Sequence, residues 1–235
     1  SLVLGQRLGE LCGHGPNLET DIALTNISLD LFGQTRSYYQ YAAQLAGADK
    51  TEDDIAFLRL ENEYRNLLLV EQPNGDFAHT ILRQYLFDVY HHNLLLELQK
   101  STDETLAAIA QKSLKEVTYH KRWSSQWVLR LGDGTEESHR RMNEAMSDLW
   151  MFAFESVATD SLDGKMLEAN IGADHEKIAA NMTKEISALF AEATLEMPSD
   201  KWAQTGGRNG IHSEHMGYIL SEMQYLQRAY PGSEW

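Results

Sequence analysis

The sequence is poor in the residues that staple, break or anchor a chain. A single cysteine in 235 residues, Cys12, excludes an intrachain disulfide and fits a reducing compartment. Four prolines are present where an average composition carries roughly a dozen. All four, Pro16, Pro73, Pro198 and Pro231, fall where helices would start or stop. No apolar run approaches the roughly 18 residues of a membrane-crossing helix. Leu2-Val3-Leu4 is too short for a secretory signal and lacks its basic flank. Positive charge is scarce as well: 20 Lys and Arg stand against 35 Asp and Glu, a net charge of −15. A phosphate backbone or an anionic membrane surface would be repelled by that balance. These absences point to an acidic, cytoplasmic protein with neither nucleic acid nor membrane as partner. The first residue is Ser1 rather than Met, so native N-terminal residues are expected to be missing.

Helix formers fill the space between the prolines, and no stretch alternates apolar and polar residues as a half-buried strand would. Periodicity and capping residues predict helices over 2–12, 17–46 and 51–66. Further helices are predicted over 76–99, 101–131, 136–158, 175–195 and 212–229. Ile22, Leu24, Ile27, Leu31, Tyr38, Tyr41 and Leu45 form the apolar stripe of the second. The helix opened by Asp76 is apolar nearly all round, which places it in the middle of a bundle. Connections are short and there is no repeat or long linker. The reading is one all-α domain over 1–235, a bundle of six to eight mostly antiparallel helices.

Carboxylates and histidines at helical spacing are the one constellation suited to catalysis. A di-iron bundle takes one Glu from each of two helices and a Glu-x-x-His from each of two others. Asp88-Val89-Tyr90-His91 is a near match, Glu116 to His120 is spaced i, i+4, and Asp21 and Asp30 supply further oxygens. Leu, Val and Gln at the remaining positions bring no anionic oxygen to offset the charge of two irons. The residues therefore favour a polar layer in which Asp88, Glu116 and His120 bond to one another. The loop Gly206-Gly207-Arg208-Asn209-Gly210 has backbone amides and an arginine suited to an anion, without the spacing of a phosphate-binding fingerprint, and is read as a flexible connection. His212 and His215 with Glu214 are read as exposed residues of a helix start. Cys12 beside His14 has no ordered base, and Arg65, Arg83, Lys121 and Arg122 are candidate contacts across an interface.

Five segments resemble a known family: Gln6 to Glu10, Asn26 to Gln34, Leu67 to Gly75 with its Val-Glu-Gln-Pro-Asn-Gly, Lys115 to His120, and Glu222 to Arg228. The chain is similar, over nearly its whole length, to the C subunits of the bacterial ring-1,2-phenylacetyl-CoA epoxidases, multicomponent oxygenases of aerobic phenylacetate degradation. The resemblance implies a ferritin-like bundle without catalytic residues. It would pair with and stabilise a catalytic A subunit that holds the di-iron centre and binds the acyl-CoA. A small B subunit and a flavin and iron–sulfur reductase would complete the complex, and alone the chain is expected to form a homodimer.

Carried across position by position, the ligands of the catalytic subunit fall on Gln6, on Leu31 and Gln34, on Asp88, and on Val117 and His120. Only Asp88 and His120 keep a ligating side chain, and the resemblance implies no metal and no cofactor here. Two alternatives stand beside this reading. One is an active di-iron oxygenase using Asp88, His91, Glu116 and His120 with Asp30. The other is a metal-free bundle whose Gly206–Gly210 loop takes an acyl-CoA phosphate.

Overall fold

A computed structural model describes residues 1–47, 50–199 and 202–233. Among them the chain is all helix and loop, as a ferritin-like helical bundle requires, with ten α-helices and no strand. The residues group into two compact units, Ser1–Pro73 with Thr205–Trp235, and Asn74–Gln204, a division that a single domain over 1–235 does not draw.

The first unit holds α1 (Leu2–Gly9), α2 (Leu18–Ala46), α3 (Glu52–Phe57), α9 (Glu214–Met223) and α10 (Tyr225–Ala229). Asn17 caps α2 by accepting from the Thr20 amide, and Gly47, at φ +112°, ends it in a conformation that a side chain would strain. Leu4 and Leu8 of α1 and Leu24, Ile27 and Leu31 of α2 are buried, and Ser28 Oγ donates to the Gly5 carbonyl at 2.7 Å. The stripe expected on α2 is only partly the buried face: Ile22 and Leu45 are exposed, while Thr20, Gln34 and Thr35 are buried with the leucines.

Helix α3 runs six residues, not to residue 66, because side chains take over its last carbonyls. Arg59 Nε donates to the Ile55 carbonyl at 2.6 Å and Tyr64 Oη to the Ala56 carbonyl at 2.6 Å. Arg59 stacks on the Tyr64 ring 4.2 Å from its centre. Gln224 Nε2 then donates to both the Arg59 carbonyl and Tyr64 Oη. With those carbonyls and the arginine engaged, continuing the helix gains nothing. At the C-terminus the single helix expected over 212–229 divides at Gln224 into α9 and α10.

The second unit holds α4 (Phe77–Leu98), α5 (Glu104–Gly132), α6 (Glu136–Leu149), α7 (Ser161–Glu168) and α8 (His175–Glu192). Helix α4 packs against α5, α6 and α8, and Thr80 through Val89 are buried without a break. Central placement is thus what its nearly uniform apolar character produces. Two short α-helices, α7 and α10, account for the excess over the expected six to eight. Helix α7 carries its own start signal, a capping box in which Asp160 and Asp163 exchange side-chain and backbone bonds. Helix α6 gives way at Trp150, whose ring packs edge-on to Phe154 at 5.4 Å and tilts against Phe190 of α8.

Gly132 ends α5 against the end of α8. A Cβ there would lie 2.5 Å from the Ala193 carbonyl oxygen, and the Gly132 carbonyl itself accepts from His139 Nδ1 at 2.8 Å and Thr194 Oγ1 at 3.3 Å. Gly132→Ala should therefore cost about 1–3 kcal/mol as the α8 end is pushed away. A thermal melt checks it; an unchanged midpoint would mean that residues 193–195 yield freely.

At the other end of α4, His79 is held between two carboxylates, Nδ1 on Asp76 at 2.9 Å and Nε2 on Asp148 at 2.8 Å. Both neighbours accept, so the ring is the doubly protonated form. Partial burial disfavours that cation, but the bonds to Asp148 and Asp76 outweigh it and raise the pKa above 6.5. A raised histidine contributes stability that is complete below its unfolded value and disappears as pH climbs through the folded one. His79→Gln is expected to lower the melting point at pH 6 and to have no effect at pH 9. The loss should be about 1 kcal/mol or less, since Asp148 is solvent-exposed.

Candidate functional site

The positions implied as degenerate metal ligands lie in both units. In the first, Gln6 is half-buried on α1, and Leu31 and Gln34 are buried on α2. In the second, Asp88 lies on α4 and Val117 and His120 on α5, all three fully buried.

Around Asp88 lies a buried polar layer in which both carboxyl oxygens are hydrogen-bonded while Gln84 Oε1 has no hydrogen-bond partner. Gln84, one turn earlier, donates Nε2 to Oδ1 at 2.7 Å, and Ser124 of α5 approaches Oδ2 at 2.8 Å. Asp88 thus bonds to Gln84 and Ser124, where helical spacing suggests Glu116 and His120. Burial pushes its carboxyl up to about 8, against the opposing effects of the Ser124 and Gln84 bonds and the Lys121 charge. Burial favours its neutral form, and Ser124 Oγ, which donates to Oδ2, also lies 3.3 Å from the Lys121 carbonyl. Such a group is a poor donor to a cation, because metal binding requires the carboxylate.

Val117 is surrounded by hydrocarbon. It packs with Leu95 and Ala110, flanked by Leu98 and Leu114, and offers no electron pair. His91, one turn beyond Asp88, is buried with Nδ1 lacking a hydrogen-bond partner, and burial holds its pKa well below the ordinary histidine range. No group of three or more His, Cys, Asp or Glu side chains placed to hold a metal ion occurs among the described residues. The donor set present does not fit a di-iron centre.

A second polar cluster joins α4, α5 and α8. Lys121 Nζ lies 2.8 Å from Glu185 Oε2 and 3.1 Å from His92 Nδ1. Asn93 Nδ2 donates to Glu185 Oε1 at 2.9 Å and Asn181 Nδ2 to Asn93 Oδ1 at 3.1 Å. Lys121 is therefore engaged inside the unit, as is Arg83, buried with Nη2 on Asn74 Oδ1 at 2.5 Å. Arg65 spends its Nη1 on the Asn62 and Tyr64 carbonyls. Of the four cations considered for an interface, Arg65 and Arg122 are exposed.

The glycine-rich loop is packed down within the first unit. The Asn209, Gly210 and Ile211 amides donate to the Gly206 and Gly207 carbonyls. A Cβ on Gly207 would collide with the Asn66 carbonyl oxygen. Those three amides are spent on carbonyls of the loop itself. His212, which follows, is likewise not an exposed helix start: its side chain is fully buried, with Nδ1 2.6 Å from Glu71 Oε1. Cys12 is exposed on the loop after α1.

The all-helical fold, with a buried polar layer on its central helix and Leu, Val and Gln at the implied ligand positions, defines the class: a ferritin-like helical-bundle protein. A model of the family described as phenylacetic acid catabolic protein matches residues 1–235, and the chain belongs to that family. Over 234 residues it is 50% identical to the C subunit of the 1,2-phenylacetyl-CoA epoxidase of Escherichia coli (strain K12). That match takes in 100% of this chain and 94% of the relative. No described helix is long and apolar enough to cross a membrane.

Proposed function

We propose that this chain is a non-catalytic subunit of a phenylacetyl-CoA epoxidase, a cytoplasmic bundle that pairs with and stabilises the di-iron catalytic subunit. The observation that carries the reading is the state of Leu31, Val117 and Asp88. Two are buried hydrocarbon where a carboxylate would be needed, and the third is a buried acid engaged by Gln84 and Ser124. The similarity to an epoxidase C subunit, which runs the full length of this chain, supports membership of the complex. Exposed Leu18, Ile22 and Leu29 on α2 supply apolar surface of the kind that an obligate interface covers.

The test has two arms. Chain expressed in iron-rich medium should hold well below one iron per chain, and the chain co-expressed with its catalytic paralogue should elute with it as one species. Iron near two per chain would overturn the non-catalytic reading. Separate elution at micromolar concentration would overturn the pairing.

A further inference from the structure

Between Thr105 and Gly132, helix α5 carries five Lys and Arg against one Glu, in a chain whose overall balance is 20 against 35. Lys112, Lys115, Tyr119, Arg122, Gln126 and Arg130 recur every three or four residues, and all six are exposed. They form one stripe along the outer side of the helix, about 27 Å long. The inner side, from Ala110 through Val117 to Ser124 and Val128, is buried. Lys121, the fifth cation, is off the stripe and engaged by Glu185.

The charges of the stripe are uncompensated. Among the described residues Lys112, Lys115, Arg122 and Arg130 form no ion pair, whereas Lys100, Lys121, Arg140, Arg141 and Lys177 of the same unit each end on a carboxylate. Aromatic rings stand beside those cations. Tyr119 is 50% exposed, and Trp123 and Trp127 are half-buried along one edge of the stripe. The two indoles lie 6.3 Å apart, Phe77 meets Trp127 edge-on at 5.0 Å, and Arg130 sits over Trp127 at 5.3 Å. Tyr, Trp and Arg are the side chains that most often anchor protein interfaces. Rings already fixed by their neighbours lose little freedom when a partner arrives.

We propose that the outer stripe of α5 docks a row of carboxylates on the surface of another subunit of the assembly, distinct from the catalytic one; this rests on the reading of the chain as an epoxidase subunit. Charge complementarity carries the choice of occupant. A chain at −15 repels an acidic partner over most of its surface, so the stripe is where such a partner approaches, and repulsion elsewhere fixes its orientation. A second copy meeting this stripe about a twofold axis would set cations against cations. A nucleic acid would run its phosphates past the stripe into the acidic remainder. The stripe is also the convex side of a helix, which gives a small anion no cavity. Its charged character is that of an exchangeable contact, unlike the apolar face of α2 that suits an obligate one.

The experiment compares the full chain with Lys115→Glu/Arg122→Glu and with Tyr119→Ala, each checked for folding by circular dichroism. Binding is measured to the purified catalytic subunit and to each remaining subunit of the same epoxidase, at about 50 mM and about 500 mM salt. One non-catalytic subunit should bind the native chain at low salt and about tenfold or more weakly at high salt. The charge reversal should weaken that binding by about tenfold or more and Tyr119→Ala by several-fold, while both variants still elute with the catalytic subunit. If only the catalytic subunit binds, or if native and reversed chains bind a non-catalytic subunit equally, the docking stripe is overturned and the pairing stands. A native chain that binds no subunit overturns both. The stripe has another occupant, and the proposal fails, if the reversal abolishes binding of the catalytic subunit or changes the oligomeric state of the chain alone. It fails equally if the reversal affects only the binding of a DNA duplex of about 20 base pairs, used as a control polyanion. If the reversed chain does not fold, Lys115→Gln/Arg122→Gln decides in its place.

Discussion

Asp88→Asn is expected to stabilise the protein at alkaline pH and to remove a fall in stability that the native chain shows between about pH 4 and pH 8. The native carboxyl is raised to about 8 by burial, while in the unfolded chain it titrates near its ordinary 3.8. Below that ordinary value both states are protonated and the group contributes nothing. Between the two values the unfolded state ionises and the folded state resists, so unfolding is increasingly favoured. Above about 8 both are ionised and the penalty is constant. Each unit of difference is worth about 1.4 kcal/mol, and relaxation around the site trims the total to on the order of 3–5 kcal/mol. Asparagine matches the shape, can accept from Gln84 and donate to Ser124, and does not titrate. Denaturant titrations of both proteins at several pH values check this. Parallel curves would mean that Asp88 is ionised and comfortable in the folded chain.

The second large effect concerns Val117. Restoring a carboxylate with Val117→Glu should not restore iron binding, and should cost about 3–5 kcal/mol or prevent folding of the second unit. The side chain would enter the contact surface of Leu95, Ala110 and Leu114, where nothing donates to it. His120 is on the same face one turn away, but an acid alone beside one imidazole is still short of a ligand set. Circular dichroism in denaturant, with iron content of any folded fraction, measures it. A folded variant holding stoichiometric iron would show that decay of this site is a single substitution deep.

How much of the architecture is legible in the chain depends on how local its causes are. Helices α2, α4 and α5 are announced by Asn17, Asp76 and Asp103, whose side chains accept from an amide three residues on, so their starts are visible in the sequence. The early end of α3 is not, because Gln224 reaches Arg59 and Tyr64 across a separation of 165 and 160 residues. Helix α7 has a local signal in Asp160 and Asp163, but its eight residues carry too little periodicity to stand out. In the site, Gln84 is one turn from Asp88 and its spacing is legible, whereas Ser124 arrives only when α5 packs on α4. The same holds for His212: nothing in a Gly-rich loop followed by two histidines points to a glutamate at position 71.

One consequence of the chain's division concerns the order in which it is made. The unit spanning Asn74–Gln204 is continuous, so all five of its helices are available once residue 204 has left the ribosome. The other unit is interrupted: α1, α2 and α3 emerge before the continuous unit but lack α9, α10 and the loop that covers the 64–72 segment until the residues after 204 have been made. The N-terminal residues therefore wait, apolar faces uncovered, while later residues fold ahead of them, which reverses the usual N-terminal-first sequence of events. Termination shortly before residue 205 would leave a complete second unit attached to an incomplete first one, a product that quality control would recognise by its exposed leucines.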